Sequence, residues 1–445
     1  MTPISGGLVA PRRASAAGLV VPGLVLGLLV GASPGYAAPG DGTRSGCSAR
    51  AGLLGSVDGD LVADVVVGLP HRHAEAGLLD VRASRAGDQR LTGSELDLGA
   101  PTAGDALGAA VAVGDVDGDG CADVLAGSPG YGRRGALHVA FGSPDGVATD
   151  GVVSLPYDGV AGDRFGATVA LSRRGTGRPG EAGAVVHDLW VGAPGWDDGR
   201  TRDAGAVAHY VLRPGGEPRL RVVSATLVTQ GTPRVPGFSE VDDRFGEVLA
   251  AGPGGVVVGQ PHENVGPRVD AGTATWLAYD TASGDLTARS RSLDTPGVPG
   301  LAHRGDRMGA AVAVGPQGRA MVGVPGREVD RVHNAGAVAR FDPTGGWRPG
   351  TASLVTQAMP GIPGRVERGD RFGSAVVLGR GLRCRGWVEA AVGAPGEDVH
   401  RRKDAGSVTV MPFRPDGNMA CTATWRTQGD GLAGQVARGD AAGAS

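Results

Sequence analysis

Aromatic residues make up only 4% of the 445-residue chain, and most of the apolar residues are alanine and valine. That composition favours a core of small side chains between closely packed sheets over one built around large rings. Lysine is nearly missing: Lys403 is the only one, and arginine supplies the other basic groups. The net charge is −3, which gives no argument for a nucleic acid or an anionic membrane as partner. The four cysteines show no CxxC or His-rich spacing, so nothing supports zinc. Long apolar runs are missing too. The most apolar stretch, 16–32, is short and broken by Pro22, and the C-terminus carries no apolar anchor, so no membrane span is expected. Catalytic signatures are equally sparse. There is no HExxH and no phosphate-cradling loop, and the single GxSxG match, GASPG at 31–35, falls in the N-terminal leader.

That leader reads as a processing segment. Arg12 and Arg13 precede the apolar stretch, and Gly35-Tyr36-Ala37 offers small residues where a signal peptidase reads them. Cleavage is expected after Ala37, with Ala38 as the second choice, giving a signal peptide over 1–37, a short lead over 38–50 and an exported product. In an oxidising compartment Cys47, Cys121, Cys384 and Cys421 are expected to pair, with three connectivities open. Cys384 with Cys421 is preferred because both fall in the last repeat, which leaves Cys47 with Cys121.

What is abundant is glycine, 81 residues, and proline, 30, together about a quarter of the chain. Their placement is periodic. An opening motif recurs as GDALG at 104, GDRFG at 162, DDRFG at 242, GDRMG at 305, GDRFG at 369 and GDAAG at 439. An apolar strand closing on Gly-x-Pro recurs at prolines 70, 129, 194, 261, 325 and 395, spaced by 59, 65, 67, 64 and 70 residues. After the next loop come EAGLL at 75, RGAL at 134, DAGAV at 203, DAGTA at 270, NAGAV at 334 and DAGSV at 404. Linkers such as TQGTPRVPG at 229, DTPGVPG at 294 and TQAMPGIPG at 356 join the units. Each period holds about four short strands, too few to bury both faces alone, so the units must pack against one another.

The densest chemistry is GDVDGDGCADVLAGSP, 114–129. Asp115, Asp117, Asp119 and Asp123 occupy positions 1, 3, 5 and 9 of a tight loop, with Gly120 at the sharp turn and the carbonyl of Cys121 at position 7. Hard oxygens at that spacing suit calcium. The loop begins as an EF-hand loop does, but Ala126 stands at position 12 and the flanks read as strands. A second loop aligns with it: Ser56, Asp58, Asp60 and Asp64, with Leu61 at the turn, form a weaker set. In the later repeats the Asp and Gly residues read as turn chemistry, the side chains capping local backbone.

The paired motifs, FG in GDRFG and GAP in VGAP, resemble the FG-GAP repeats of integrin α-subunit propellers over roughly residues 51–445. The resemblance implies an all-β fold, a β-propeller of four-stranded blades. Six FG-type and six GAP-type motifs, out of phase at the ends, predict six blades, with the C-terminal segment pairing with the N-terminal one to close the ring. Integrin-type propellers have seven blades, and the ending at Ser445 leaves room for a shortened chain. The resemblance also implies calcium in the Asp115 loop, in a structural role and on the face away from ligand.

The four loops GWDDGRTRD (195–203), HENVGPRVD (262–270), GREVDRVHN (326–334) and GEDVHRRKD (396–404) would then share one face. Their mixture of Trp196, Arg, Asp and His suits a carbohydrate or protein partner, and solvated surface with internal ion pairs is the plainer reading. The function expected is a secreted, monomeric, calcium-binding recognition or adhesion module. The competing reading is an extracellular esterase or phosphodiesterase, because FG-GAP repeats also occur at the tail of glycosylphosphatidylinositol-specific phospholipase D. Nothing in this chain matches that enzyme's separate catalytic domain.

Overall fold

A computed structural model describes residues 46–47, 52, 55–174, 186–216, 219–280, 283–315, 318–341, 352–380, 388–399, 402–414, 419–428 and 431–432. The leader segment, Cys384 and the GDAAG segment expected to close the ring lie outside these residues. Among them no helix is long and apolar enough to cross a membrane.

Among the described residues the strands form six antiparallel blades in sequence order, which matches the expected count of six. Blade 3 shows the pattern: Thr168–Arg174, Val186–Ala193, Ala206–Pro214 and Leu220–Val228 pair in succession. Blade 2 uses Ala110–Gly114, Asp123–Ser128, Ala136–Ala140 and Val153–Ser154; blade 4 uses Val248–Gly252, Gly255–Gln260, Thr273–Tyr279 and Leu286–Arg291. Blade 5 has Val312–Val314, Ala320–Val324, Ala337–Phe341 and Ser353–Val355. Blade 6 has Ala375–Arg380, Val388–Ala394, Ser407–Phe413 and Thr424–Gln428, plus the short parallel strand Gly431–Leu432. Blade 1 has three strands among the described residues, Val65–Gly68, Leu79–Ala83 and Gly87–Leu91, which match the second to fourth strands of the other blades.

The core is divided among the seams. Each of five apolar clusters draws its members from two neighbouring blades; Leu125, Leu137 and Val139 of blade 2, for example, pack with Leu189, Val191 and Tyr210 of blade 3. Small residues and glycines let the seams close. The glycine of each described FG motif packs against the glycine of the preceding blade's Gly-x-Pro strand: at Gly127 a Cβ would collide with the carbonyl of Gly166. The residue before that glycine fills the seam and must be large and apolar. Phe165, Phe245, Met308 and Phe372 are fully buried there and Leu107 nearly so. Its N–H bonds back to the preceding blade, as in Phe165 N–H to the Arg134 carbonyl at 2.9 Å and Phe245 N–H to the Ala204 carbonyl at 2.9 Å. The Ala-Gly and FG motifs are thus the two halves of one interblade clasp. Their sequence spacing is the distance round a blade.

The aspartates of the opening motifs serve the turns. Asp105, Asp163, Asp243, Asp306 and Asp370 are all buried, and each accepts the N–H of the residue three before it, at 2.5 to 2.8 Å.

Candidate functional site

Antiparallel order places the connections of each blade at alternate ends. Those between first and second strands, and between third and fourth, share one face. Those between second and third strands share the other face with the linkers between blades. The acidic loops belong to the first face and the four long loops to the second.

The two acidic loops lie side by side. The N–H of Ala122 bonds to the carbonyl of Ser56 at 2.8 Å, and the N–H of Gly52 bonds to the carbonyl of Gly120 at 2.8 Å. Cys47 and Cys121 are joined in a disulfide, and Cys47 packs on Gly59 of the first loop. Cys47 is therefore stapled to the second loop while packing on the first. Cys421 is also disulfide-bonded; its expected partner, Cys384, lies outside the described residues.

In the second loop, carboxylate oxygens of Asp115, Asp117 and Asp123 lie within 4.8 Å of one another. Asp123, fully buried, is fixed by the N–H groups of Val116 at 2.7 Å and Gly142 at 2.9 Å. Asp115 accepts from Gly118 at 2.7 Å and Gly120 at 3.1 Å. Asp119 is placed differently. It accepts the N–H of Cys121 at 2.8 Å and groups with the disulfide sulfurs rather than with the other three carboxylates. Burial first, then the charges of Asp117 and Asp119, push the Asp115 carboxyl up to about 7. Burial and Asp117 hold Asp123 well above the carboxylate range. Among the described residues a cation reaches the cluster from blade 3: Arg219 lies 3.8 Å from Asp117 and over the ring of Phe141. Concentrated oxygen donors held against their own repulsion are the donor set a hard cation takes, so the residues fit one.

The first loop repeats the frame with more donors to its carboxylates, while burial first, and then the charges of Asp58 and Asp60, still raise the Asp64 carboxyl. Asp64 accepts Val57 N–H at 2.7 Å and Ser84 N–H at 3.2 Å, matching the two bonds of Asp123. Asp58 accepts the N–H groups of Arg85 at 2.8 Å and Ala86 at 2.9 Å. Ser56 and Ser84 both donate hydroxyls to Asp60, whose carboxyl is lowered chiefly by Ser84. Leu61 takes the turn at φ 71°, where the second loop has Gly120 at 94°. Oxygens of Asp58, Asp60 and Asp64 also converge within 4.8 Å, but the N–H and hydroxyl donors of 84–86 and of the loop itself answer them. Sequence alignment of the two loops gave no sign of the donors at 84–86, which come from a hairpin at least twenty residues away.

On the opposite face each long loop is a miniature hairpin. Reciprocal backbone bonds join Asp198 to Thr201, Val265 to Arg268, Val329 to Val332 and Val399 to Arg402. The loops are also braced to the linkers: Ser239 donates to Asp198 at 2.7 Å, Asn264 to Glu240 at 2.7 Å, and Arg268 pairs with Asp294 at 2.6 Å. Trp196 is half-buried against the core of the seam between blades 2 and 3. Most of the exposed large apolar groups of this face sit on the linkers, led by Val160 at 66%, Phe238 at 85% and Leu301 at 62%, before blades 3, 4 and 5, while Val269 is exposed on a long loop. The only sequence signal of Val160, Phe238 and Leu301 was position, just after a linker glycine.

Among curated proteins none matches the chain. Among solved structures it is similar to a mutant of Aleuria aurantia lectin in complex with α-methyl-L-fucoside, at 10% identity over 85% of this chain and 91% of that one, with a TM-score of 0.38. The model of the FG-GAP repeat family matches residues 107–140, a span that contains the whole second acidic loop between its FG-type and GAP-type ends. The chain is a β-propeller that carries an FG-GAP repeat in its second blade. In this propeller the family repeat coincides with the blade that carries the Asp115, Asp117 and Asp123 cluster.

Proposed function

We propose that this FG-GAP propeller is an exported recognition module, monomeric, which binds a protein or carbohydrate partner through its long-loop face and holds calcium at the opposite face. The observation that carries the reading is the build of the loop face. Short self-bonded hairpins and braced linkers present polar and charged side chains beside Val160, Phe238 and Leu301, an apolar arc over three successive blades. Exposed apolar residues rimmed by polar groups on a rigid frame are characteristic of binding surfaces. Calcium would be held by Asp115, Asp117 and Asp123, with Asp119 and the Cys121 carbonyl as further donors. It would supply positive charge that relieves the carboxylate repulsion and stabilises the loop and the strands it joins.

The test is retention of the mature protein on an array of glycans, cell-surface polymers and extracellular proteins, with calcium and with chelator. Selective retention that is lost in Phe238→Ser, with unchanged melting temperature, supports recognition by the loop face. No retention under either condition, together with turnover of an esterase or phosphodiester substrate, would replace this reading with a hydrolase.

A further inference from the structure

Each acidic loop is approached by connections between third and fourth strands, and what those connections offer differs in kind. At the first loop the connection is 84–86 of the same blade, and it offers backbone. The N–H of Ser84 bonds to Asp64 at 3.2 Å, and those of Arg85 and Ala86 bond to Asp58 at 2.8 and 2.9 Å. Such donors cannot leave without unmaking the hairpin. At the second loop Gly142, just past the third strand of blade 2, gives its N–H to Asp123 in the same way at 2.9 Å. Asp117 accepts the N–H of Asp119 at 3.1 Å and is also met by a side chain from the next blade. That side chain is Arg219, at the hairpin between the third and fourth strands of blade 3, which the N–H of Gly215 closes on the carbonyl of Arg219 at 2.6 Å. The guanidinium lies 3.8 Å from Asp117 and 5.3 Å from the ring centre of Phe141.

This contact can be given up. The side chain of Asp117 is 3% exposed and that of Arg219 is 44% exposed, so the guanidinium can swing into water while the carboxylate cannot follow. At 3.8 Å the pair is a charge contact rather than a hydrogen bond, and an ion pair with one partner in water is weak. The hairpin keeps its place without it. Blade 3 pairs its outer strands from Val207 with Val228 to Pro214 with Leu220, and a Cβ at Gly118 of the acidic loop would stand 2.9 Å from the Pro214 ring. A hard cation held by Asp115, Asp117 and Asp123 would take the Asp117 charge from Arg219 and repel the guanidinium at short range. Arginine and metal therefore compete for one carboxylate.

We propose that Arg219 is a tethered counter-ion for the second acidic loop: it holds Asp117 when no metal is bound, gives way when calcium enters, and so sets the calcium affinity. The same exchange carries the binding event from blade 2 to the outer hairpin of blade 3. This rests on the calcium reading above and adds a regulator to that site. By linkage, the arginine weakens calcium binding by the factor with which calcium weakens the arginine's hold. Removing the guanidinium then has two opposite effects. The metal-free loop loses support, and Asp117 is released to the metal. A side chain that merely braced the seam would weaken both states alike.

The experiment is calcium titration calorimetry, with melting temperatures in chelator and in saturating calcium, on the full chain as the natural sequence, R219M, R219K and D117N. R219M should bind calcium about fivefold more tightly than the natural sequence at low salt, and the difference should shrink as salt screens the charge. In chelator R219M should melt about 2 °C lower, and calcium should close or reverse that gap. R219K keeps the charge and should bind within about twofold of the natural sequence. The Nε–Hε resonance of Arg219, assigned by its loss in R219M, should move when calcium is added. Equal or weaker calcium binding in R219M would overturn the proposal and leave the calcium reading standing, and so would the same loss of melting temperature with and without calcium. Calcium binding that survives in D117N would place the ion away from Arg219 and overturn the proposal. No calcium binding by any of the four proteins would overturn the proposal and the calcium reading together.

Discussion

Replacing Gly192 by alanine tests the interblade seam with a single methyl group. Gly192 lies in the second strand of blade 3 and its φ is outside the left-handed region, so the backbone itself accepts alanine. In a neutral environment that change would stabilise by about 0.4–1 kcal/mol through the unfolded state. Here the Cβ would stand 2.1 Å from the carbonyl oxygen of Gly246 in blade 4 and 2.2 Å from the hydroxyl of Thr168. The Thr168 side chain could turn aside, but the Gly246 backbone follows directly on the Phe245 bridge to Gly205 and is held by it. Relief needs the seam to open by about 1 Å, which is overpacking at about 1–3 kcal/mol. That opening strains the bond from Thr168 to the Gly246 carbonyl, 2.6 Å, and the one from Phe245 N–H to the Ala204 carbonyl, 2.9 Å. Two weakened bonds add about 1 kcal/mol each, for a total of roughly 3–5 kcal/mol. Urea unfolding at constant pH and calcium is the assay, with Gly216→Ala as the control, because a Cβ there meets nothing within 4 Å. A Gly192→Ala protein within about 0.5 kcal/mol of that control would show that the seam yields, and that glycine contact does not set blade packing.

Calcium should raise the melting temperature over that in chelator, by the equivalent of about 2.7 kcal/mol at a hundredfold excess over Kd. D117N should abolish the shift and D58N should leave it, as followed by calorimetry. Replacing Cys47 and Cys121 by serine releases a closure of 74 residues in sequence and should cost up to about 4 kcal/mol in the chain-entropy treatment, read by urea unfolding. His262 is raised chiefly by Glu247, so its contribution is full below its ordinary range and disappears as pH rises through the raised value. His262→Gln should therefore destabilise by about 0.5–1 kcal/mol at pH 6 and by nothing measurable at pH 9. Arg327→Met leaves Asp306 buried opposite an apolar group and should cost about 3 kcal/mol at pH 8 and less at pH 5, where the carboxyl can protonate.

The fold class and the six-blade count were legible because the constraint behind them is local and recurs. A seam that brings glycine against glycine, beside one large apolar residue, needs Gly192 and Phe245 at fixed places in every period. The turn role of Asp163 or Asp306 was legible for the same reason: its bond reaches only three residues back. The aspartate spacing of the second acidic loop likewise marked Asp115, Asp117 and Asp123 as neighbours. What the tertiary structure alone decided rests on contacts between distant segments. Ser84, Arg85 and Ala86 answer the charges of the first loop, Arg219 reaches Asp117 from the next blade, and the seam core covers Trp196. Gln230 meets Glu263 across 33 residues and Gln357 meets Glu397 across 40. A repeat specifies its own turns by short-range backbone geometry. Which charges are compensated depends on the side chains that neighbouring blades and hairpins bring to them, and no period in the sequence encodes that pairing.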